Sequence, residues 1–145
     1  MKTLSLFFVL ALIASLSYAQ DLELENEPQQ EKGVPVLSFE EKSFDFGDIK
    51  QGDKVSHTFK FTNTGSAPLL INRVQTTCGC TVPKWPREPI APQASGEISA
   101  TFNSTGKQGI QNKAITIHSN ASEPVMRLTL KSNVLKPGST GGSGK

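Results

Sequence analysis

The chain has 145 residues, 15 basic against 13 acidic side chains, and 36% apolar residues. That length suits one domain, and the near balance of charge gives no electrostatic footprint for nucleic acid or an anionic membrane surface. Two cysteines are too few for a disulfide-rich scaffold, so a hydrophobic core has to carry the fold.

The opening "MKTLSLFFVLALIASLSYAQ" places Lys2 before an apolar run from Leu4 to Leu16, then small residues at Ser17 and Ala19. This is the pattern of a secretory signal peptide over residues 1–19, cleaved after Ala19. The run is short for a bilayer span, so no membrane insertion is expected after cleavage. No cysteine follows the small residues, which argues against a lipoprotein. Cleavage leaves 126 residues, 14 basic and 13 acidic. Residues 20–33 are acidic and polar and read as a disordered linker. Residues 136–145, "KPGSTGGSGK", read as a flexible Gly/Ser tail, native or appended. The folded domain is expected at 34–135, outside the cytoplasm: periplasmic, cell-surface or secreted.

Within 34–135 the apolar residues alternate with polar ones. "VPVLSF" starts as an edge strand, because Pro35 cannot donate to a central ladder. "FDFGDIKQGD" puts Phe44 and Phe46 on one face and breaks at Gly47 and Gly52. "KVSHTFKFTNTG" alternates Val55, His57, Phe59 and Phe61 against Ser56, Thr58, Lys60 and Thr62, then turns at Asn63 to Gly65. "PLLINRVQT", "GEISATFNSTG", "KAITIHSN" and "PVMRLTLKSNV" supply further runs, the second with Ile98, Ala100 and Phe102 inward, the last with Met126, Leu128 and Leu130 inward. Period two predicts strands with one face in the core and one in water. No stretch of the mature chain repeats at about 3.6 residues over a helical length. Seven or eight antiparallel strands over about 100 residues predict an all-β, immunoglobulin-like β-sandwich.

The F-x-F-G start, the "FTNTG" turn, the "CGCT" motif, the proline-bearing connection and the "SN" before the last strand together resemble the DUF1573 family. The resemblance covers about Phe39 to Val134 and is specific as a combination. It implies an exported bacterial domain of the kind frequent in Bacteroidetes, related to the ASH/MSP/hydin-like immunoglobulin-fold domains. Those eukaryotic relatives act as binding modules, which is an analogy of fold only.

Cys78-Gly79-Cys80 is the first motif with chemistry. In a flat strand the two Cβ atoms would stand about 6.5–7 Å apart, against about 3.8 Å in a disulfide. A bond between them therefore needs the chain to fold back at Gly79, where glycine permits unusual backbone angles or a bulge. Three readings stay open: buried thiols or a local disulfide closing a strand end; a redox-active or partner-linking dithiol; and capture of Cu(I), which suits two thiolates, with a histidine as a further ligand. A closed zinc site lacks its four ligands in paired spacings. His57 lies on the apolar face of its run and His118 opposite the Ile115/Ile117 face, so the first is a core or rim histidine and the second exposed. Neither has an orienting third group for a Cys–His nucleophile.

Pro83, Pro86, Pro89 and Pro92 recur at every third residue around Trp85. In polyproline II they would form one ridge. The plainer reading is a stiff connection crossing between sheets with Trp85 in the core, and the functional one a ridge that docks a partner. The glycosylation patterns at Asn103 and Asn120 fall near strand ends, where turns use asparagine anyway. No phosphate loop, dinucleotide fingerprint or nucleophile elbow is present. The reading is a non-enzymatic binding or structural module without a cofactor, whose partner is another envelope or surface protein. A strand added at residues 34–39 is one mode of contact. The alternative is a Cys78/Cys80 dithiol protein for Cu(I) or thiol–disulfide exchange.

Overall fold

A computed structural model describes residues 33–138. The expected signal peptide, the linker to residue 32 and the tail from residue 139 lie outside the described residues. Eight strands follow in order: β1 (Leu37–Phe39), β2 (Ser43–Lys50), β3 (Lys54–Asn63), β4 (Ile71–Thr76), β5 (Thr81–Lys84), β6 (Ser95–Asn103), β7 (Gly109–Ser119) and β8 (Val125–Leu135). No helix occurs among the described residues. The strands form two four-stranded sheets, ordered β1-β3-β6-β5 and β2-β8-β7-β4.

The alternation read from the sequence is what builds the core. Phe59 and Phe61 of β3 and Ile98, Ala100 and Phe102 of β6 are buried from one sheet. Ile115 and Ile117 of β7 and Met126, Leu128, Leu130 and Val134 of β8 are buried from the other. Facing inner surfaces of this kind make the single apolar layer of a β-sandwich.

One pairing departs from the all-antiparallel expectation. β2 runs parallel to β8, from Ser43 opposite Thr129 to Lys50 opposite Leu135. The cause is the short link after β1. Glu40 N still donates to Lys60 O of β3 at 3.1 Å, while Lys42 O already accepts from Thr129 N of β8 at 2.9 Å. Changing sheets that quickly leaves no room to reverse direction, so the chain arrives beside β8 still travelling the same way. A bulge then interrupts β2 between Asp45 and Asp48, where Gly47 takes φ 67°. Asp45 Oδ1 accepts from Gly47 N there at 2.8 Å.

The chain changes sheets again between β4 and β5. Thr77 N donates to Ala114 O of β7 at 3.2 Å, and Cys80 O accepts from Asn103 N of β6 at 2.9 Å. The Cys-Gly-Cys motif is therefore the corner that joins the edge of one sheet to the edge of the other. The proline-bearing segment does not cross between sheets as expected. It joins β5 to β6, which are neighbours in one sheet. From there it reaches over to Leu69, pairing Ile90 with it through bonds of 2.8 and 2.9 Å. Both residues are buried, so the loop closes one end of the sandwich.

Candidate functional site

The corner is built from its hydroxyl and amide neighbours. Thr81 N donates to Cys78 O at 3.3 Å, which folds the backbone back. Thr76 Oγ1 lies 3.0 Å from Cys78 O and 3.1 Å from Thr81 O and shares its one proton between them. The turn brings the two cysteine Cα atoms to 5.2 Å, and a disulfide joins them. Gly79 does not take a left-handed φ. The reversal is made by the turn, not by the unusual backbone that glycine was expected to supply. A Cβ added at Gly79 would meet nothing within 4 Å, so the outer side of the corner is open.

Cys80 packs partly against the core and also lines an open cleft of about 420 Å³ together with Gly79, Lys54, Thr101, Asn103 and Lys107. The pKa of Lys113 is lowered by burial and then by the charge of Lys107. No histidine joins the sulfurs. His57 Nε2 lies 2.7 Å from Glu41 Oε1, and its ring stacks on Phe44 at 3.6 Å and meets Phe59 edge-on. His118 Nε2 lies 3.2 Å from Gln75 Oε1. Among the described residues no three His, Cys, Asp or Glu side chains converge.

The four prolines are spread over different structures. Pro83 sits in edge strand β5, where a missing N–H is tolerated. Pro86 and Pro89 lie in the loop. Pro92 begins a turn in which Ala94 N donates to Ala91 O at 3.1 Å and Gln93 takes φ 63°. Proline followed by a left-handed residue marks a type II turn. Trp85 packs partly against the core, with Arg87 Cζ 3.7 Å from its ring centroid and its Nε1 buried without a partner. Beside it lies a second open groove, lined by Lys84, Pro86, Gly96, Glu97 and Ser99.

Sequence reasoning missed the residue that ties these parts together. Asn63, read only as the start of a turn, is fully buried. Its Oδ1 accepts from Val36 N at 3.2 Å and Gly65 N at 3.1 Å. Its Nδ2 donates to Ala67 O at 2.8 Å and Ile90 O at 3.0 Å. Its own N and O bond Ala94 O and Gln93 N. One side chain thus fastens the first strand and the proline-bearing loop to the end of β3. Gly65 is needed beside it, because a Cβ there would stand inside the backbone of Val34 and Val36. The two glycosylation-pattern asparagines are likewise committed to loops: Asn103 Oδ1 accepts from Thr105 N, and Asn120 bridges Leu70 N and Pro68 O.

Residues 34–36 do not offer the free edge expected of them. Val34 O and Val36 O accept from Ser66 N and Thr64 N, and Pro35 O accepts from Ser122 N on the other side. Val34 N donates to Ser66 Oγ at 3.2 Å. Of the proposed edge only the three residues of β1 remain. The β5 edge is blunted too, since Thr81 N and O are both bonded and Pro83 has no N–H.

Comparison with known proteins agrees with this architecture. A protein of unknown function from Porphyromonas gingivalis W83 superposes with a TM-score of 0.58 at 23% identity, over 70% of this chain and 46% of that one. The secreted serine protease VesC from Vibrio cholerae gives 0.54 at 18% identity, over 68% of this chain and 23% of that one. The chain therefore spans under half the length of either. The ASH/PapD-like domain 7 of human CEP192 gives 0.58 at 11% identity and is covered over 87% of its length, against 71% of this chain. Likeness at these identities shows the fold. No curated protein sequence matches the chain. The family model described as protein of unknown function (DUF1573) matches residues 37–134, the span from β1 to the end of β8, and the chain belongs to that family.

Proposed function

We propose that this domain is an exported, non-enzymatic binding module whose partner is another envelope or surface protein. The observation that carries the reading is the Arg87 guanidinium stacked 3.7 Å over Trp85 beside an open groove. Tryptophan and arginine dominate the energetics of protein interfaces, and exposed Pro89 and Pro92 follow them on a loop that Asn63 and Leu69 hold in place. The polar chemistry elsewhere supports the same view. Asn63, Ser104, Thr76 and Asn120 spend their hydrogen bonds on loops and corners. Residues 34–36 are closed to strand addition and the β5 edge is blunted, and the stacked Arg87–Trp85 pair favours contact through the β5–β6 loop.

Crosslinking and pull-down from the native envelope fraction tests this. The wild-type chain should capture a discrete envelope protein. Arg87→Ala should reduce that capture about tenfold or more, as the loss of an interface hot spot does, at an unchanged melting temperature. Absence of any specific partner, or capture indifferent to Arg87→Ala, would overturn the proposal.

A further inference from the structure

We propose that the Cys78–Cys80 disulfide is a thiol–disulfide exchange site for anionic thiols, with Cys80 as the sulfur attacked. The site is independent of the Trp85 groove and of the binding reading. Three observations converge on it. The disulfide occupies a sheet-to-sheet corner where the residue between the cysteines has no side chain, and no residue other than the flanking cysteines comes within 4 Å of where one would begin. Of the two sulfur residues, Cys80 is the one that lines the adjoining cleft. The same cleft is lined by Lys54 and Lys107, and neither lysine has a carboxylate partner among the described residues. Lys107 also depresses the pKa of Lys113, a second sign that positive charge accumulates at this end of the sandwich.

A disulfide closing so short a loop adds little stability through chain entropy, and this one, half-buried at both cysteines, is reached through the cleft that Cys80 lines. In the first step a partner thiolate attacks Cys80 Sγ. The new partner–Cys80 bond forms as the Cys78–Cys80 bond breaks, and the electron pair leaves on Cys78 Sγ, which takes a proton from water. A second partner thiolate then attacks the partner sulfur of the mixed disulfide and releases Cys80 as a thiolate, which is protonated in turn. Two partner thiols are oxidised to a disulfide and the protein disulfide is reduced by two electrons. The lysines attract a negatively charged thiol to the cleft, and in the second step they favour Cys80 as the thiolate that leaves.

The test compares reduction of the purified chain by glutathione, neutral 2-mercaptoethanol and cationic cysteamine, each rate normalised to its thiolate fraction. At low salt glutathione should react about three- to tenfold faster than cysteamine, the range of modest electrostatic steering, and 0.5 M NaCl should close the gap. Lys54→Gln with Lys107→Gln should abolish the preference for glutathione. Alkylating the mixture early and mapping it by mass spectrometry should find glutathione on Cys80 and the alkyl group on Cys78. Equal normalised rates for the three thiols, glutathione mapped to Cys78, or two thiols that never oxidise would each overturn the proposal. The wild-type comparison decides the matter even if the double variant folds poorly.

Discussion

Asn63→Ala should be among the most damaging single substitutions in the domain. It removes four side-chain hydrogen bonds and leaves Val36 N, Gly65 N, Ala67 O and Ile90 O without that partner. At about 1 kcal/mol per bond the loss is about 4 kcal/mol, a large share of the 5–15 kcal/mol that typically holds a domain. For a domain of about 100 residues this lowers the melting temperature by about 15–30 °C. Urea titration followed by circular dichroism measures it directly. Asn63→Asp sharpens the test, because it keeps Oδ1 but turns a second oxygen toward Ala67 O and Ile90 O. Burial beside two carbonyls raises the folded pKa of that carboxyl above its unfolded value near 4. The folded state then holds the proton more tightly, so this group's contribution to stability is fully present below about pH 4 and is lost as pH rises through the folded pKa. A cost for Asn63→Ala under about 1 kcal/mol, or an Asn63→Asp chain with the pH dependence of wild type, would refute this account.

Gly96→Ala should cost about 1–3 kcal/mol by urea titration, because its Cβ would stand 2.5 Å from Cζ of the buried Phe61 ring. Gly79→Ala, with open space and no left-handed φ, should be neutral or stabilising by up to about 1 kcal/mol. Gln93→Gly relieves a left-handed side-chain residue, at about 1–2 kcal/mol, against an entropy cost of about 0.4–1 kcal/mol, so thermal melts should show anything from no change to a gain of about 10 °C. Reducing the Cys78–Cys80 disulfide should lower the unfolding free energy by no more than about 2 kcal/mol, the chain-entropy value for a loop this short. Lys113→Met should stabilise the fold near neutral pH, since burial and Lys107 disfavour the charged form. With the folded pKa below the unfolded one, wild type gains stability as pH rises between the two, so the advantage of Lys113→Met should shrink as pH rises toward about 10 and level off above it.

Much of the fold was legible because strand periodicity is a local property. Ile115, Ile117, Leu128 and Leu130 announce their faces by spacing alone, and Pro35 announces its distance from a central ladder, whereas Pro83, read as part of a connection, sits in edge strand β5. The parallel pairing of β2 with β8 was not legible, because it depends on how abruptly the chain changes sheets after β1. Asn63 looked like an ordinary turn residue for the same reason. Its partners at positions 36 and 90 lie 27 residues away on either side, and no local pattern records them. The cysteine spacing correctly indicated that a disulfide would require a fold-back. It could not show that the fold-back is a corner between sheets, or that lysines from distant parts of the chain line the cleft beside it.

Because β2 lies alongside β8, the domain fastens an early segment to the last strand to be synthesised. As the chain is made the first seven strands emerge before β8 can join them, and until then β2 and β7 each lack a neighbour. The second sheet can close only when residues 125–135 have emerged, so a stalled or shortened product exposes two unpaired margins at once. Proteases and holding chaperones would meet such a product as an open sandwich, while the completed chain shuts in a single final step.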